Sequence, residues 1–211
     1  MKSKEAIGKI LTDSIPREFI LNFERHYPAA LEKAQQIGDT VAEGHRNSVV
    51  GHHRHFALNE AVVHAFDDTG ITHNPLRGNG IVFGRVNVAT LGRVHMNYGK
   101  WDNSRRSKSK IKLCLPNKKI AAIVQYDFWS PVDTPIAEIT AFLVTQGSGT
   151  AMSPATAYIV VPDDTMDLRN PIFLEPLSVF IQRYQQLESV VDSAVPRLKA
   201  GVKIMEHSDK S

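Results

Sequence analysis

The stretch "IVFGRVNVATLGRVHM", residues 81–96, is where the apolar period of the chain changes from helical to alternating. Ile81, Phe83 and Val86 to Val88 read as one strand, broken at Gly84, and Leu91 to Met96 as its partner. Everything before this stretch has helical spacing. Ser14 serves as an N-cap with Pro16 in the first turn, and Ile15, Phe19, Ile20, Phe23 and Tyr27 recur on one face. Pro28 bends or restarts that helix, and Gly38 stops it. A second helix is predicted at about 55–67 from Phe56, Leu58, Val62, Val63 and Phe66, ended by Thr69-Gly70. "THNPLRGNG", 72–80, is the loop into the strands.

After the first strands, "KIKLCLPNKKIAAIVQYDF", 110–128, reads as a hairpin. Ile111, Leu113 and Leu115 alternate with Lys110, Lys112 and Cys114; "PNKK", 116–119, supplies the turn; Ile120 to Phe128 returns. Ile136 to Thr145 and Ala157 to Val161 read as further strands. Leu177, Phe180, Ile181, Tyr184, Leu187, Val191 and Ala194 form the apolar stripe of a long C-terminal helix, and Lys203 to Ser211 a frayed tail. The expectation is one α+β domain over residues 1–211. Its curved antiparallel sheet spans about residues 80–161, flanked by N-terminal helices and the long C-terminal helix.

Composition bounds the function. A chain of 211 residues, 42% hydrophobic and 22% charged, suits a globular protein with a full core. No apolar run approaches the roughly 18 residues of a membrane span, and no leader-like segment opens the chain. The single Cys114 excludes a disulfide framework and fits a reducing, cytoplasmic setting of bacterial or phage type. Charge is uneven. Between Arg85 and Lys119 ten basic residues face Asp102 alone, a net +9, against +3 for the whole chain. Such a stretch suits a polyanion partner, with a solvated face as the plain alternative. Lys100, Arg105, Arg106, Lys108, Lys110 and Lys112 are the expected phosphate contacts, with Tyr98 and Trp101 placed to stack on bases.

The second chemical cluster is "GHHRHFALNEAVVHAF", 51–66. His52 and His53 are expected in the turn before the helix. A histidine pair can serve as base and acid near neutral pH, with Arg46, Arg54 or Lys100 stabilising charge on phosphorus. His52, His55, His95 and Arg46 are the catalytic candidates. "RNSVVGH", 46–52, resembles the Arg-Asn-x4-His pattern of HEPN ribonucleases. That resemblance implies an all-helical domain, from which the strand-rich middle departs. His53-Arg54-His55 followed by Glu60 resembles the first cupin motif, which implies metal ligation from a strand, whereas Phe56 to Phe66 has helical spacing. Asp127 and Glu138 resemble part of the restriction-endonuclease acidic set, without its lysine. The plain reading is a helix entry with surface polar residues. No cofactor is identifiable and no metal site is assigned.

The functional expectation is a nucleic-acid-binding protein acting on DNA or RNA, in its enzymatic form a small nuclease of the defence or toxin kind. A binding or assembly subunit, docking a partner or a second copy through the C-terminal helix, and a small-molecule metalloenzyme using the histidines fit the same residues.

Overall fold

The computed structural model describes residues 2–78, 80–101, 107–126, 136–147 and 155–192. Three helices come first: α1 (Lys2–Ser14), α2 (Arg17–Asp39) and α3 (Glu43–Asp68). Strands β1 (Thr72–His73), β2 (Phe83–Val86) and β3 (Ala89–Met96) follow, then helices α4 (Lys108–Cys114) and α5 (Asn117–Tyr126). Strands β4 (Ile139–Gln146), β5 (Thr156–Val161) and β6 (Phe173–Pro176) lead into α6 (Leu177–Asp192). The strands form one open sheet in chain order, an α+β arrangement as expected.

The sheet extends beyond the expected residues 80–161, to β1 inside the stretch read as a loop and to β6 at Phe173–Pro176, and two further details differ from the sequence reading. The sheet is mixed: β3 pairs β4 in parallel over eight residues, Ala89↔Ile139 to Met96↔Gln146, while the other four pairings are antiparallel. And the hairpin expected at 110–128 is a pair of helices, α4 and α5. The two differences have one cause. A parallel neighbour cannot be reached by a tight turn; the chain must cross back over the sheet, usually through helix. The alternation Ile111, Leu113, Leu115 that suggested a strand also places Ile111 and Cys114 at i and i+3, a helical face. Cys114 is buried there, Leu115-Pro116 is the junction between the helices, and Asn117, Lys118 and Lys119 of "PNKK" open α5.

Asn117 locks this crossover. Wholly buried, it donates through Nδ2 to the carbonyls of Thr140 (2.9 Å) and Pro162 (2.8 Å) and accepts the Thr140 N–H through Oδ1 at 2.8 Å.

Alternation along β3 and β4 sorts their side chains into two cores. Ala89, Leu91, Ala141 and Leu143 join the large cluster under α1, α2, α3 and α6. Val94, Met96, Phe142 and Val144 join a smaller one with Cys114, Met166 and Leu168. Arg93 and His95 fall on the Leu91 side, toward α3. Two glycines admit rings. A Cβ at Gly84 would stand 2.7 Å from the Phe66 ring, and one at Gly92 2.8 Å from the Phe142 ring. Gly84 therefore lies inside β2 rather than interrupting it.

The helices also depart in extent. Residues 2–14 are already helical, Pro28 is accommodated inside α2, and α3 begins at Glu43, so the histidines lie in mid-helix and not in a turn before it. In α6, Leu177, Phe180 and Tyr184 are buried in the large core and Ile181 packs against it. This part of the stripe is occupied within the fold and is not open to a partner; Ala194 and the expected tail lie outside the described residues. No helix among the described residues is long and apolar enough to cross a membrane.

Replacing Asn117 by Ala removes three buried hydrogen bonds and leaves the Thr140 amide unmet. At about 1 kcal/mol each, the variant should lose about 3 kcal/mol. A urea titration checks this, with the midpoint falling at unchanged slope.

Candidate functional site

The antiparallel ladder between β2 and β3 stops at Phe83↔Gly92. Beyond it, Arg93 to Met96 pair with β4 alone among the described residues. Into the space beside that free edge open a cavity of about 310 Å³ and the side chains Arg54, His55, Asn59, Arg93, His95 and Lys110. Gly51 and residues 80–82 complete its wall with Ser107. Two arginines, a lysine and two histidines line it, and among the described residues no carboxylate does.

Arg93 is the centre. It is 6% exposed, yet its partners among the described residues are all neutral. Nε donates to Asn59 Oδ1 at 2.6 Å, and Nη2 donates to His55 Nδ1 at 3.0 Å and to the His55 carbonyl. Asn59 and His55 stand one turn apart on α3, so they present both acceptors to one guanidinium. Burial first, and the Arg54 charge second, lower the Arg93 pKa to about 10, which leaves it charged at neutral pH. A buried cation without a counter-charge is costly, and an anion in the cavity would offset that cost. Burial likewise lowers Arg54, and brings Lys110 down to about 8 with help from Arg93.

The two histidines are neutral for identifiable reasons. His55 accepts from Arg93 through Nδ1, which needs an unprotonated nitrogen; burial and then the charges of Arg93 and Lys110 hold its pKa down. His95 faces Thr145 across the parallel ladder. The Thr145 hydroxyl lies 2.9 Å from His95 Nδ1 and 3.4 Å from the Val94 carbonyl. The other ring nitrogen, Nε2, is buried and has no partner. Burial, then Arg54 and Arg93, push the His95 pKa down to about 3.

Two more cavities adjoin this one. A cavity of about 490 Å³ on the exposed half of α3 shares Gly51 and His55 with it and is lined by Asn47, Ser48 and His52. A larger one of about 760 Å³ shares Gly80 and Ile81. It has an apolar wall of Phe83, Leu113, Pro75 and Pro116 and a polar one of Arg77, Arg85, Lys112 and Glu138.

The sequence candidates divide accordingly. His55, His95 and Lys110 come together in the central cavity. His52 stays outside it, exposed, with Nδ1–H donating to the Ser48 carbonyl at 2.9 Å. Arg46 is exposed and paired with Asp39 at 3.6 Å. The Arg46–His52 segment is helical, but the six-stranded sheet is not the all-helical domain the HEPN resemblance implies. The cupin resemblance fails because His53, His55 and Glu60 lie on a helix. Among the described residues no three His, Cys, Asp or Glu side chains gather as a metal site.

Tyr98, Lys100, Lys108 and Lys112 are exposed. Trp101 is half-buried and edge-on to Tyr158 at 5.4 Å. Arg105, Arg106 and Asp127 lie outside the described residues. Glu138 is exposed just ahead of β4. Cys114 is buried with its thiol toward Met166 Sδ at 3.2 Å and its pKa pushed up to about 12, an inert helix residue. Sequence reasoning missed Arg93 and Asn59. The i, i+2 spacing of Arg93 and His95 on the Leu91 face was the available signal.

His95 makes acid stability a test of the site. Its folded pKa lies below the unfolded 6.5, so the unfolded chain takes the proton first. The associated stability is intact above about pH 6.5 and is lost as pH falls toward about 3. His95→Asn keeps a donor toward Thr145 and removes the titration. Wild type minus variant stability should therefore be level above pH 7 and fall by roughly 1.4 kcal/mol per pH unit from about pH 6 to pH 4. Urea unfolding at several pH values reads it, and a level difference throughout would mean an ordinary, solvated imidazole. No family model, no curated protein and no solved structure matches this chain.

Proposed function

We propose that this protein binds nucleic acid by seating a phosphate in the cleft between α3, β3 and α4. The observation that carries the reading is Arg93, buried and charged, with only neutral partners among the described residues, beside Arg54 and Lys110 in a cavity that no described carboxylate lines. Guanidinium groups with fixed geometry are well suited to phosphate oxygens. The adjoining cavities on either side give a strand a path in and out, and exposed Tyr98, Lys100, Lys108 and Lys112 add contacts outside the cleft.

A nuclease is the second reading, favoured by His55 and His95 lining the same cleft as Arg54, Arg93 and Lys110. The three cations would stabilise charge developing on phosphorus. This chemistry would proceed without metal.

The test is titration of labelled single- and double-stranded DNA and RNA against salt, with strand integrity read on the same samples in magnesium and in EDTA. Arg54→Gln and Lys110→Gln should each weaken binding about tenfold, and each should reduce the slope of log affinity against log salt by about one. Affinity should also fall as pH rises through about 8, where Lys110 loses its charge. Cleavage surviving EDTA and lost in His95→Asn would support the nuclease reading. Absence of binding to any strand would overturn the proposal, as would wild-type affinity and salt slope in both variants.

A further inference from the structure

We infer that the cavity of about 760 Å³ beside the phosphate cleft is a nucleoside pocket: it takes an unpaired base, swung out of the stack, from a nucleotide whose phosphate occupies the cleft. The inference rests on the nucleic-acid reading and narrows it to unpaired nucleotides.

The sheet builds this pocket. Alternation puts Phe83, Arg85, Thr90 and Thr140 on the face opposite the large core, with Arg85↔Thr90 and Thr90↔Thr140 as register partners. Helix α4 lies over this face at β4, where the Thr140 hydroxyl donates to the Leu113 carbonyl at 2.6 Å. Between α4 and the segment 74–81 the β2–β3 part of the face is open, and the cavity is that opening. The segment is held in place by its own hydrogen bonds. Asn74 donates through Nδ2 to the Ile81 carbonyl at 2.8 Å and accepts the Phe83 N–H through Oδ1 at 2.7 Å. The Gly80 N–H donates to the Arg77 carbonyl at 2.8 Å, and a Cβ on Gly80 would stand 2.7 Å from that same oxygen, so glycine keeps the turn tight.

Three observations point to a base as the occupant. The first is position. Gly80 and Ile81 line both this cavity and the cleft, so one ligand can place its phosphate in the cleft and its apolar part here. The second is the lining. Pro75, Phe83, Leu113 and Pro116 offer apolar surface for the faces of a ring, while Arg77, Arg85 and Lys112 outnumber Glu138, the one carboxylate among the described lining residues. A nucleotide has that same division, apolar on the faces of its base and anionic along its backbone. The third is exposed apolar surface beside the lining. Leu76, 47% exposed, stands in the chain between Pro75 and Arg77, and Leu115, 57% exposed, precedes Pro116. Exposed apolar groups adjoining a cavity add area that a ligand can cover.

The recess decides the pairing state. At about 760 Å³ the cavity falls in the range of roughly 300–1,000 Å³ that small-ligand sites occupy. It has room for one nucleoside and none for a duplex. A paired base is stacked and shows only its edges, so it must leave the helix to enter; an unpaired one does so at least cost.

The experiment compares ligands on the whole chain at neutral pH in EDTA, by calorimetry. They are a mixed-sequence strand of about 12 nucleotides, a strand of equal length with every base replaced by hydrogen, and the nucleoside monophosphates. The base-bearing strand should bind about tenfold or more tightly than the abasic one. Thr90→Trp fills the pocket from the sheet, and Ser109→Trp, at an exposed position of α4, fills it from the other side. Each should bring the ratio of the two affinities below about threefold. The ratio is taken within one protein, so a general change in affinity cancels, and a urea midpoint shows that each variant is folded. If both variants unfold, the wild-type ratio alone decides. Equal affinity for the two strands, or an undiminished preference in both folded variants, would overturn the inference and leave the nucleic-acid reading standing. Binding of a monophosphate with no binding of either strand would support the pocket, as one for free nucleotides, and overturn the nucleic-acid reading. No binding of any ligand would overturn both.

Discussion

The parallel pairing of β3 with β4 is the constraint on which the rest of this molecule depends. Eight residues of each strand run side by side in the same direction. Antiparallel strands can be joined by two residues, whereas parallel ones need a crossover. That requirement turns residues 108–126 into α4 and α5, and it makes the buried Asn117 the point where the crossover is fixed to β4. The same register sets His95 opposite Thr145, whose hydroxyl meets its Nδ1 at 2.9 Å. The crossover also returns Lys110 to the free edge of β3, completing the cleft. One topological choice thereby determines the sheet, the covering helices and the site.

The chain contains its own contrast for the buried cation. Arg183 on α6 meets two carboxylates, Glu175 on β6 at 2.7 Å and Glu5 on α1 at 2.8 Å. Those partners raise its pKa above the ordinary arginine value, and the trio ties three elements together. Arg93 is more deeply buried and has no such partner among the described residues; its pKa falls. A purely structural arginine can be built in this fold, and Arg183 shows how. Leaving Arg93 without a carboxylate costs stability that an apolar side chain of similar volume would not. A cost of that kind, placed beside a cavity, is characteristic of a site arranged for something that arrives from outside.

Much of the fold was legible. The change of period at residue 81 marked the switch from helices to sheet, and the β2–β3 hairpin, β4, β5 and α6 stand near their expected places. What was not legible was direction. Alternating Ile, Lys, Leu and Lys in residues 110–113 satisfies a strand or one face of a short helix, and periodicity cannot separate them when the run is this short. A long-range choice, the parallel pairing, decides it. The same holds for α3. Its first half, Glu43 to Val50, is polar and mostly exposed, so no apolar stripe announces it; packing against α2 holds it helical. Histidines expected in a turn therefore lie in mid-helix, and His52 and His55, three residues apart, end in different environments.

The basic stretch shows the same limit most clearly. Its charge is plain from the sequence, and a count of lysines and arginines suggests an outward, solvated surface. In the fold it divides. Lys100, Lys108 and Lys112 remain exposed, while Arg93 and Lys110 turn inward to meet Arg54 from a segment 39 residues earlier than Arg93. The two halves do different physical work. Exposed lysines are screened by salt and attract any polyanion at long range. The inward group is shielded from ions, fixed by Asn59 and His55, and costly until a ligand matches its charge. On the proposed reading, attraction by the first group and seating of a phosphate by the second are separable, because salt acts mainly on the exposed lysines and substitution of Arg54 or Lys110 on the inward group.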